Sequence, residues 1–386
     1  MAKIQRNQRE VVYVGFYDVA DGDNSVAGNV AASDKMDYIC SALKRIGRGV
    51  HVLSPLWTRC STGTARYRVG RTIEVADAKR VTLSPCLAVK SRFGRNLVIT
   101  FSLAWLFLQL VVRVRRSELI LVYHTEWLSI PVRWAKRLKG FKVVLEVEEI
   151  YGQIWQKNRI LKRWEKKLIE EADYIIAVSD VLAKILGDRV KAVLYGNYSI
   201  PEFSRVQPPN NVIRVIFAGT IEDTSGGAYK AAECARWLPS NYKVDICGSG
   251  SQASIMKLQG IIQTVNDELS REACVYNGLI LGKQFTEFLQ AHHIAISPQI
   301  NGANMLTAFP SKIIKYLSNN LRVVSTRIES VDKSRVAPLI TFSEDDSARS
   351  IADAILKVDL NSPYNTVEFI KQLDDEFVQE FKQLMQ

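Results

Sequence analysis

The chain has 386 residues, 47% of them hydrophobic and 24% charged, so it is long enough for two globular domains and too apolar for a disordered protein. Its six cysteines lie at least 13 residues apart and only four histidines are present, which argues against a zinc site or a disulfide framework. The net charge of +11 comes from residues 1–205, which contain 34 Lys and Arg and 20 Asp and Glu. Residues 206–386 contain 17 Lys and Arg and 20 Asp and Glu.

A basic half of this kind attracts nucleic acid or an anionic membrane surface, unless it is only a solvated surface. The chain contains no zinc-finger, RRM or arginine-rich motif, so we expect no nucleic-acid partner. The first residues run from a polar leader into a strand without a signal-peptide core, which predicts a cytoplasmic protein.

Strand and helix patterns alternate along residues 1–205, which is typical of a doubly wound parallel sheet. The predicted strands are 11–16, 49–55, 118–125, 142–149 and 174–179, and predicted helices include 129–139 and 157–172. Residues 96–112, NLVITFSLAWLFLQLVV, are strongly apolar between flanking arginines but are short for a bilayer span. We expect a buried helix there, with a helix partly dipped into a membrane as the alternative.

A Pro- and Asn-rich stretch near 200–212 reads as a linker, after which the alternation restarts. The predicted domains are 1–205 and 206–360, followed by a terminal helix over 361–386. That helix carries apolar residues at spacings of three and four, namely Ile370, Leu373, Phe377, Phe381 and Leu384.

Small and polar residues follow the strands of the second half, where ligands of open α/β sheets collect. They are Gly219-Thr220, Gly226-Gly227, Gly248-Ser249-Gly250 and Pro310-Ser311-Lys312. The last of these opens a predicted helix that stops at Asn319-Asn320, and a helix start with Ser and Lys suits a phosphate. No GxxxxGK[ST] occurs and no GxGxxG follows the first strand, which disfavours ATP hydrolysis and a nicotinamide cofactor.

Segments in both halves resemble bacterial glycosyltransferases of the GT-B fold. They are FAGTI…GG, DICGSGS, VYNGLI with Asn277, FPSKIIKYLSNNLRVVST, LVYHTEWLSIPVRWAK and VLEVEEIYGQ. The likeness covers nearly the whole chain and is closest to the retaining family 4 enzymes that build surface polysaccharides. It implies an α/β protein of two Rossmann-like, doubly wound parallel-sheet domains facing a cleft, with a C-terminal helix crossing back.

The resemblance also implies a metal-independent hexosyltransferase that needs no cofactor. A UDP- or GDP-linked nucleotide-sugar is expected on 206–360 as donor substrate. A saccharide acceptor, lipid-linked, is expected on 1–205, with peripheral attachment at the inner face of the cell membrane. The residues assigned to the donor are Gly219, Thr220, Gly248, Ser249, Gly250, Asn277, Pro310, Ser311, Lys312 and Lys315.

This chain departs from the family pattern at the donor side. Members commonly carry two Glu eight positions apart, and here those positions hold Thr307 and Lys315. Members also place Arg and Lys after FAG, where this chain has Thr220 and Gly226-Gly227. Lys312 and Lys315 are the candidate replacements. Two alternatives stay open: a GT-B sugar-nucleotide 2-epimerase, and a degenerate glycosyltransferase acting as a scaffold.

His124 and Glu149 are the candidate catalytic residues. His124 ends a predicted strand and matches the histidine that the family places near the transferred sugar, where an imidazole suits hydrogen bonding or proton transfer. Glu149 ends the next predicted strand, where a carboxylate suits acceptor hydroxyls. The polar segment 18–35 is the expected acceptor loop, and we interpret its Asp-Gly-Asp as a turn and expect no metal.

Overall fold

The computed structural model describes residues 10–17, 30–56, 67–75, 79–87, 89, 91–150, 159–203, 211–223, 226–300 and 307–386. The chain divides into two compact units. Unit 1 comprises Met1–Val178, Ile185–Leu194 and Phe377–Gln386, and unit 2 comprises Ser179–Lys184 and Tyr195–Glu376. The roles predicted for the two halves, acceptor and donor binding, stay predictions.

The elements of unit 1 alternate between strand and helix, and helix α5 runs from unit 2 into unit 1. The strands are β1 (Val11–Val14), β2 (Val50–Ser54), β3 (Tyr67–Arg68), β4 (Arg71–Val75), β5 (Lys79–Leu83), β6 (Cys86–Leu87), β7 (Leu119–Tyr123), β8 (Lys142–Val147), β9 (Tyr174–Ala177) and β10 (Val190–Val193). The helices are α1 (Val30–Arg45), α2 (Arg92–Arg113), α3 (Ser129–Lys139), α4 (Arg159–Glu171) and α5 (Asp180–Leu186).

Eight of these described strands form one sheet in the order β10-β9-β8-β7-β1-β2-β5-β4. Every pairing is parallel except that of β4, which lies antiparallel to β5 at the edge. The central strands are nearly continuous apolar runs, such as LILVY in β7, because helices cover both faces of a parallel sheet. β3 and β6 pair separately as a short antiparallel ribbon.

Unit 2 repeats the alternation around a six-stranded sheet. Its strands are β11 (Ile213–Ala218), β12 (Tyr242–Cys247), β13 (Cys274–Tyr276), β14 (Ile294–Ser297), β15 (Arg322–Thr326) and β16 (Ile340–Ser343). Its helices are α6 (Gly227–Cys234), α7 (Gln252–Leu269), α8 (Gly282–Gln290), α9 (Lys312–Ser318), α10 (Glu329–Asp332) and α11 (Ala348–Leu356). The order is β13-β12-β11-β14-β15-β16 with parallel pairing throughout, so the carboxyl ends of these strands share one edge.

Helix α9 begins where the sequence predicts it, directly after Pro310-Ser311. It ends at Ser318 with Asn319 as its C-cap, and Asn320 takes a left-handed φ of 58°, a conformation that asparagine tolerates better than most residues. The predicted stop at this Asn pair is therefore confirmed.

The last helix, α12 (Thr366–Leu384), begins in unit 2 and ends in unit 1. In unit 2 the Thr366 hydroxyl donates to the Leu317 carbonyl at 2.6 Å. In unit 1 the Phe377 ring lies 5.7 Å from the ring of Tyr38. Four of the five predicted apolar positions are buried, namely Ile370, Leu373, Phe377 and Phe381. The predicted amphipathic helix is therefore confirmed, and its residues belong to both units.

Helix α2 corrects one expectation. Of its 22 residues only Ser102, Leu106 and Leu110 are buried, so the expectation of a buried helix is wrong. Among the described residues α2 is the one helix long and apolar enough to cross a membrane by length and composition, and 17% of its most apolar window is buried. Periodicity could not decide this, because a helix that is apolar nearly all round shows no preferred core face.

Candidate active site

The first candidate site lies in unit 2, where β11 and β12 end side by side. Pairing continues past both strands: the Gly219 amide donates to the Cys247 carbonyl at 3.1 Å, and the Ile221 amide donates to the Ser249 carbonyl at 2.8 Å. Two strand-to-loop turns are thereby fixed next to each other at the edge where α/β proteins bind ligands.

The glycines of these turns are required by close backbone contact. Gly248 has a φ of +148°, and a Cβ there would lie 1.8 Å from the Gly219 oxygen. A Cβ on Gly250 would lie 2.2 Å from the Ile221 oxygen. The packing between the two turns thus accounts for both glycines by itself, and their predicted contact with phosphate stays a prediction.

Lys312 brings a positive charge to this edge. Its Nζ lies 4.3 Å from the centroid of the Phe217 ring, and a Cβ on Gly219 would lie 2.7 Å from that nitrogen. No hydrogen bond or ion pair of the ammonium is found in the part of the chain that the structure describes. Burial lowers the pKa of Lys312 to about 8, although the charges of Glu222 and Cys247 act in the raising direction.

The residues before Lys312 form the first turn of α9 through their backbone carbonyls. The Pro310 carbonyl accepts from the Ile313 amide at 2.9 Å, and the Ser311 carbonyl accepts from the Lys315 amide at 3.3 Å. Ser311 makes no side-chain cap of the helix, which has only seven residues. The structure therefore places Lys312 at the ends of β11 and β12, and Pro310 and Ser311 in the turn that carries it there.

The other residues predicted to bind the nucleotide-sugar make no described contact with Lys312. Thr220 and Ser249 are exposed at the same edge. Asn277 follows β13, and its side-chain amide donates to Asp245 Oδ1 at 3.0 Å. Asn277 is thus joined to a charged group inside the unit.

Asp245 is the centre of a network that the motifs did not predict. Its Oδ2 lies 2.7 Å from an Arg214 guanidinium nitrogen and 3.0 Å from His292 Nε2, while His292 Nδ1 faces the Phe288 carbonyl at 2.6 Å. Burial acts to raise the pKa of Asp245, but the hydrogen bonds from His292 and Arg214 outweigh it and hold the pKa at about 2. An aspartate within the apolar strand VDIC was the available sequence signal, because a buried carboxylate needs cationic partners.

In unit 1 the structure places His124 beside the Glu149 backbone, with His124 inside the unit and Glu149 only partly buried. His124 is fully buried, is hydrogen-bonded with the Glu149 backbone, and has its Nε2 3.4 Å from Glu165 Oε1. Burial lowers the pKa of His124 to about 3, so the imidazole is neutral near pH 7. A neutral ring suits hydrogen bonding better than donation of a proton from an imidazolium.

Beside it, Glu146 is a buried carboxylate at the carboxyl end of β8. It accepts a hydrogen bond from the Tyr13 hydroxyl at 2.5 Å and lies 3.4 Å from Lys35 Nζ, which also pairs with Glu148 at 2.5 Å. Burial raises the pKa of Glu146 to about 7, with Lys35 acting in the opposite direction. The sequence placed three glutamates at this strand end but could not indicate that Lys35, on α1, would face them.

Several predicted features fall partly outside the described residues. The expected acceptor loop lies there for 18–29, and so do 224–225 of the Gly226-Gly227 turn and 301–306 before α9. Within the described ranges, no group of three or more His, Cys, Asp or Glu side chains could hold a metal ion.

Neither a protein-family model nor a curated protein sequence matches the chain. Solved structures, in contrast, match the chain over nearly its whole length. An alpha,alpha-trehalose-phosphate synthase (UDP-forming) from Burkholderia xenovorans, in complex with glucose-6-phosphate, matches with a TM-score of 0.62, 11% identity and 96% of each chain covered. Anabaena Alr3699/HepE in complex with UDP matches with a TM-score of 0.60, 10% identity and 98% of each chain covered.

A glycosyltransferase from Rickettsia africae ESF-5 matches with a TM-score of 0.62 and 12% identity, over 98% of this chain and 97% of that one. At such identities a likeness of structure establishes the fold alone. The expected architecture is confirmed: the chain has the GT-B fold, with two α/β units that are each built on a parallel sheet.

Proposed function

We propose that this protein is a glycosyltransferase that moves a sugar from a nucleotide-sugar donor to a saccharide acceptor. The GT-B fold supports the proposal, because the similar structures include a UDP-forming synthase and a protein in complex with UDP. We assign donor binding to unit 2 and acceptor binding to unit 1. The finer parts of the proposal are a retaining, metal-independent mechanism and a lipid-linked acceptor of surface polysaccharide synthesis at the inner membrane face.

The observation that carries the proposal is the ammonium of Lys312. It is partly buried, it lies at the carboxyl ends of β11 and β12, and within the described residues it has no anionic partner at salt-bridge distance. A partly buried cation without a counter-ion at salt-bridge distance is unfavourable to the fold, which is the expected state of a group awaiting an anionic ligand. A nucleoside diphosphate would supply that anion.

The same lysine gives the proposed reaction its electrostatic support. When the bond between the sugar and the diphosphate breaks, negative charge grows on the departing phosphate. An ammonium already in place stabilises this charge without reorganisation. This is the basis for proposing that the reaction needs no metal ion.

On the acceptor side we propose His124 and Glu149 as the groups nearest the reacting sugar. Because its pKa lies far below 7, the neutral His124 ring would position a hydroxyl through a hydrogen bond. Glu149 is only partly buried, so its carboxylate is the more accessible of the two groups.

The test is calorimetric titration of the protein with UDP, GDP and UMP, using Lys312→Met and the control Lys283→Met. Lys283 is also a lysine near the start of a helix of unit 2, but its side chain is 89% exposed. We expect Lys312→Met to weaken diphosphate binding by about 1.5–3 kcal/mol, typical of a charge-assisted hydrogen bond, and UMP binding by less. The control should bind like the unaltered protein. Equal affinity in Lys312→Met would remove this lysine from the donor site.

A second measurement distinguishes the activity from its alternatives. The protein is incubated with a panel of nucleotide-sugars and saccharide acceptors, and the products are identified. Transfer of sugar with release of nucleoside diphosphate supports the proposal. An isomerised donor would indicate the 2-epimerase, and nucleotide binding without any turnover would indicate the scaffold.

A further inference from the structure

Helix α2 exposes a row of large apolar side chains. Phe93, Leu97, Phe101, Leu108 and Val112 are exposed to 75%, 56%, 57%, 58% and 80% of their areas. Single exposed apolar residues are ordinary on protein surfaces, but a contiguous set marks an interaction site.

Helical spacing places them in one row. At about 100° per residue, the five positions and exposed Ala104 all fall within an arc of about 100°. The buried residues Ser102, Leu106 and Leu110 fall on the opposite side, between about 180° and 260° from Phe93. The helix therefore packs on unit 1 with one face and presents an apolar stripe on the other; we call this row the α2 stripe.

The topology shows that α2 does not span a bilayer, although its length and composition would permit it. β5 precedes the helix, β7 follows it, and both strands belong to the same sheet of unit 1. A spanning helix would place these two strands on opposite sides of the membrane. The helix can meet a membrane only by lying along its surface.

The charges in and next to α2 favour a partner with an anionic surface. Within α2 the charged residues are Arg92, Arg95 and Arg113, and Arg115 and Arg116 follow directly, so the helix itself holds no carboxylate. Glu118, whose side chain accepts a hydrogen bond from the Arg115 amide, offsets part of this charge.

The arginines also have a suitable position. Those within α2 lie at its two ends and on the side away from the α2 stripe. This is the polar side of an interfacial helix, at the level of the lipid head groups. A second copy of the chain would leave these arginines without a role, because they lie away from the stripe along which two copies would pack.

From these observations we infer that α2 is an in-plane membrane helix, with the α2 stripe in contact with the acyl chains of an anionic bilayer. The neighbouring helix α3 adds Trp134 and Leu138, exposed to 60% and 65%, together with Lys139 and with Arg137, whose guanidinium also pairs with Glu171 at 2.8 Å. Tryptophan and arginine are both favoured where one end of a side chain is apolar and the other is solvated. This inference specifies the membrane part of the proposed function and does not depend on glycosyl transfer.

The test is co-sedimentation of the whole protein with phosphatidylcholine vesicles that contain or lack phosphatidylglycerol. The test variant is Leu97→Gln/Phe101→Gln/Leu108→Gln, which keeps the helix propensity. The matched control is Ile185→Gln/Met256→Gln/Leu356→Gln, which alters three exposed apolar residues on other helices. A third variant, Arg113→Gln/Arg115→Gln/Arg116→Gln, tests the charge.

We expect the unaltered protein and the control to bind the anionic vesicles. The affinity of the stripe variant for the same vesicles should be lower by roughly tenfold or more. The affinity of the arginine variant for anionic vesicles should fall roughly fivefold for each charge removed, and its binding should depend less on salt. Full binding by the stripe variant, or none by the unaltered protein, would overturn the inference. So would a lipid-free dimer of the unaltered protein that the stripe variant abolishes in sedimentation velocity runs.

UDP titration of the same proteins keeps this inference separate from the proposed function. The stripe variant should bind UDP like the unaltered protein, since α2 belongs to unit 1 and Lys312 to unit 2. Vesicle binding without UDP binding would leave the inference standing and count against the proposed function.

Discussion

A Cβ added to Gly219 would lie 2.7 Å from Nζ of Lys312, so the missing side chain of Gly219 is what gives the ammonium room at the end of β11. Gly248, on the neighbouring strand end, is a glycine for another reason. A Cβ there would lie 1.8 Å from a backbone oxygen, that of Gly219. One glycine accommodates a flexible lysine tip, and the other accommodates rigid backbone.

This difference predicts opposite results for two alanine substitutions. Gly219→Ala should displace the lysine tip, which weakens UDP binding while costing little stability. Gly248→Ala should lower the free energy of unfolding by roughly 2–4 kcal/mol, because backbone cannot move aside and a φ of +148° strains any side chain. Urea unfolding and calorimetric titration measure the two quantities. Equal losses of stability would contradict the assignment.

The pKa of Lys312 predicts how UDP binding depends on pH. The free protein holds this pKa at about 8, and a bound diphosphate would raise it, because an opposite charge favours the ammonium. Affinity should therefore be constant below pH 8 and should fall as the pH rises above it. In Lys312→Met this decline should be absent. A parallel decline in both proteins would assign the effect to another group.

His124 should contribute a pH dependence to folding. Its pKa is about 3 when folded and near its ordinary 6.5 when unfolded, so between these values the unfolded chain binds the extra proton. Stability should fall as the pH is lowered from about 6.5, by up to roughly 1.4 kcal/mol per pH unit for this group. The measurement is the difference in unfolding free energy between the unaltered protein and His124→Gln at pH 5 and pH 8. A difference that does not change with pH would mean that the ring is not buried in a neutral state.

The catalytic role proposed for His124 has its own signature. If the ring positions the reacting sugar, His124→Gln should lower kcat roughly 10²–10⁴-fold while changing donor affinity much less. Glu149→Gln is the matched comparison, because its carboxylate is the competing candidate. The assay is steady-state kinetics with any donor that the panel identifies. Turnover at the unaltered rate in folded His124→Gln would exclude a role for this ring in the reaction.

Glu146 predicts a pH effect of the other sign. Its folded pKa of about 7 lies above the ordinary 4.5, so between these values the folded protein holds the extra proton. Stability from this group is present at low pH and is lost as the pH rises toward 7. Glu146→Gln should remove that loss, so its stability relative to the unaltered protein should rise between pH 5 and pH 7.5 in chemical unfolding. A relative stability that falls over this range would show that the pair with Lys35 dominates instead.

Local sequence patterns determined the elements of this protein. Apolar runs such as LILVY predict buried strands, and the turn chemistry of Pro310 and Asn320 predicts the bounds of α9, because these preferences act over a few neighbouring residues. The alternation of strand and helix then predicts parallel sheets, and the resemblance to known enzymes predicts the GT-B fold.

Only the tertiary structure decided what surrounds each side chain. Lys312 and Gly219 are far apart in sequence, and no local pattern indicates that the lysine tip lies where a side chain at position 219 would be. The same holds for Lys35 beside Glu146, and for His124 beside Glu165. Helix α2 is the clearest case: apart from the arginines at its ends its sequence is apolar nearly all round, so the neighbours decide which face is covered. Burial and pairing are set by contacts across the sheet, and these depend on strand order, which periodicity does not encode.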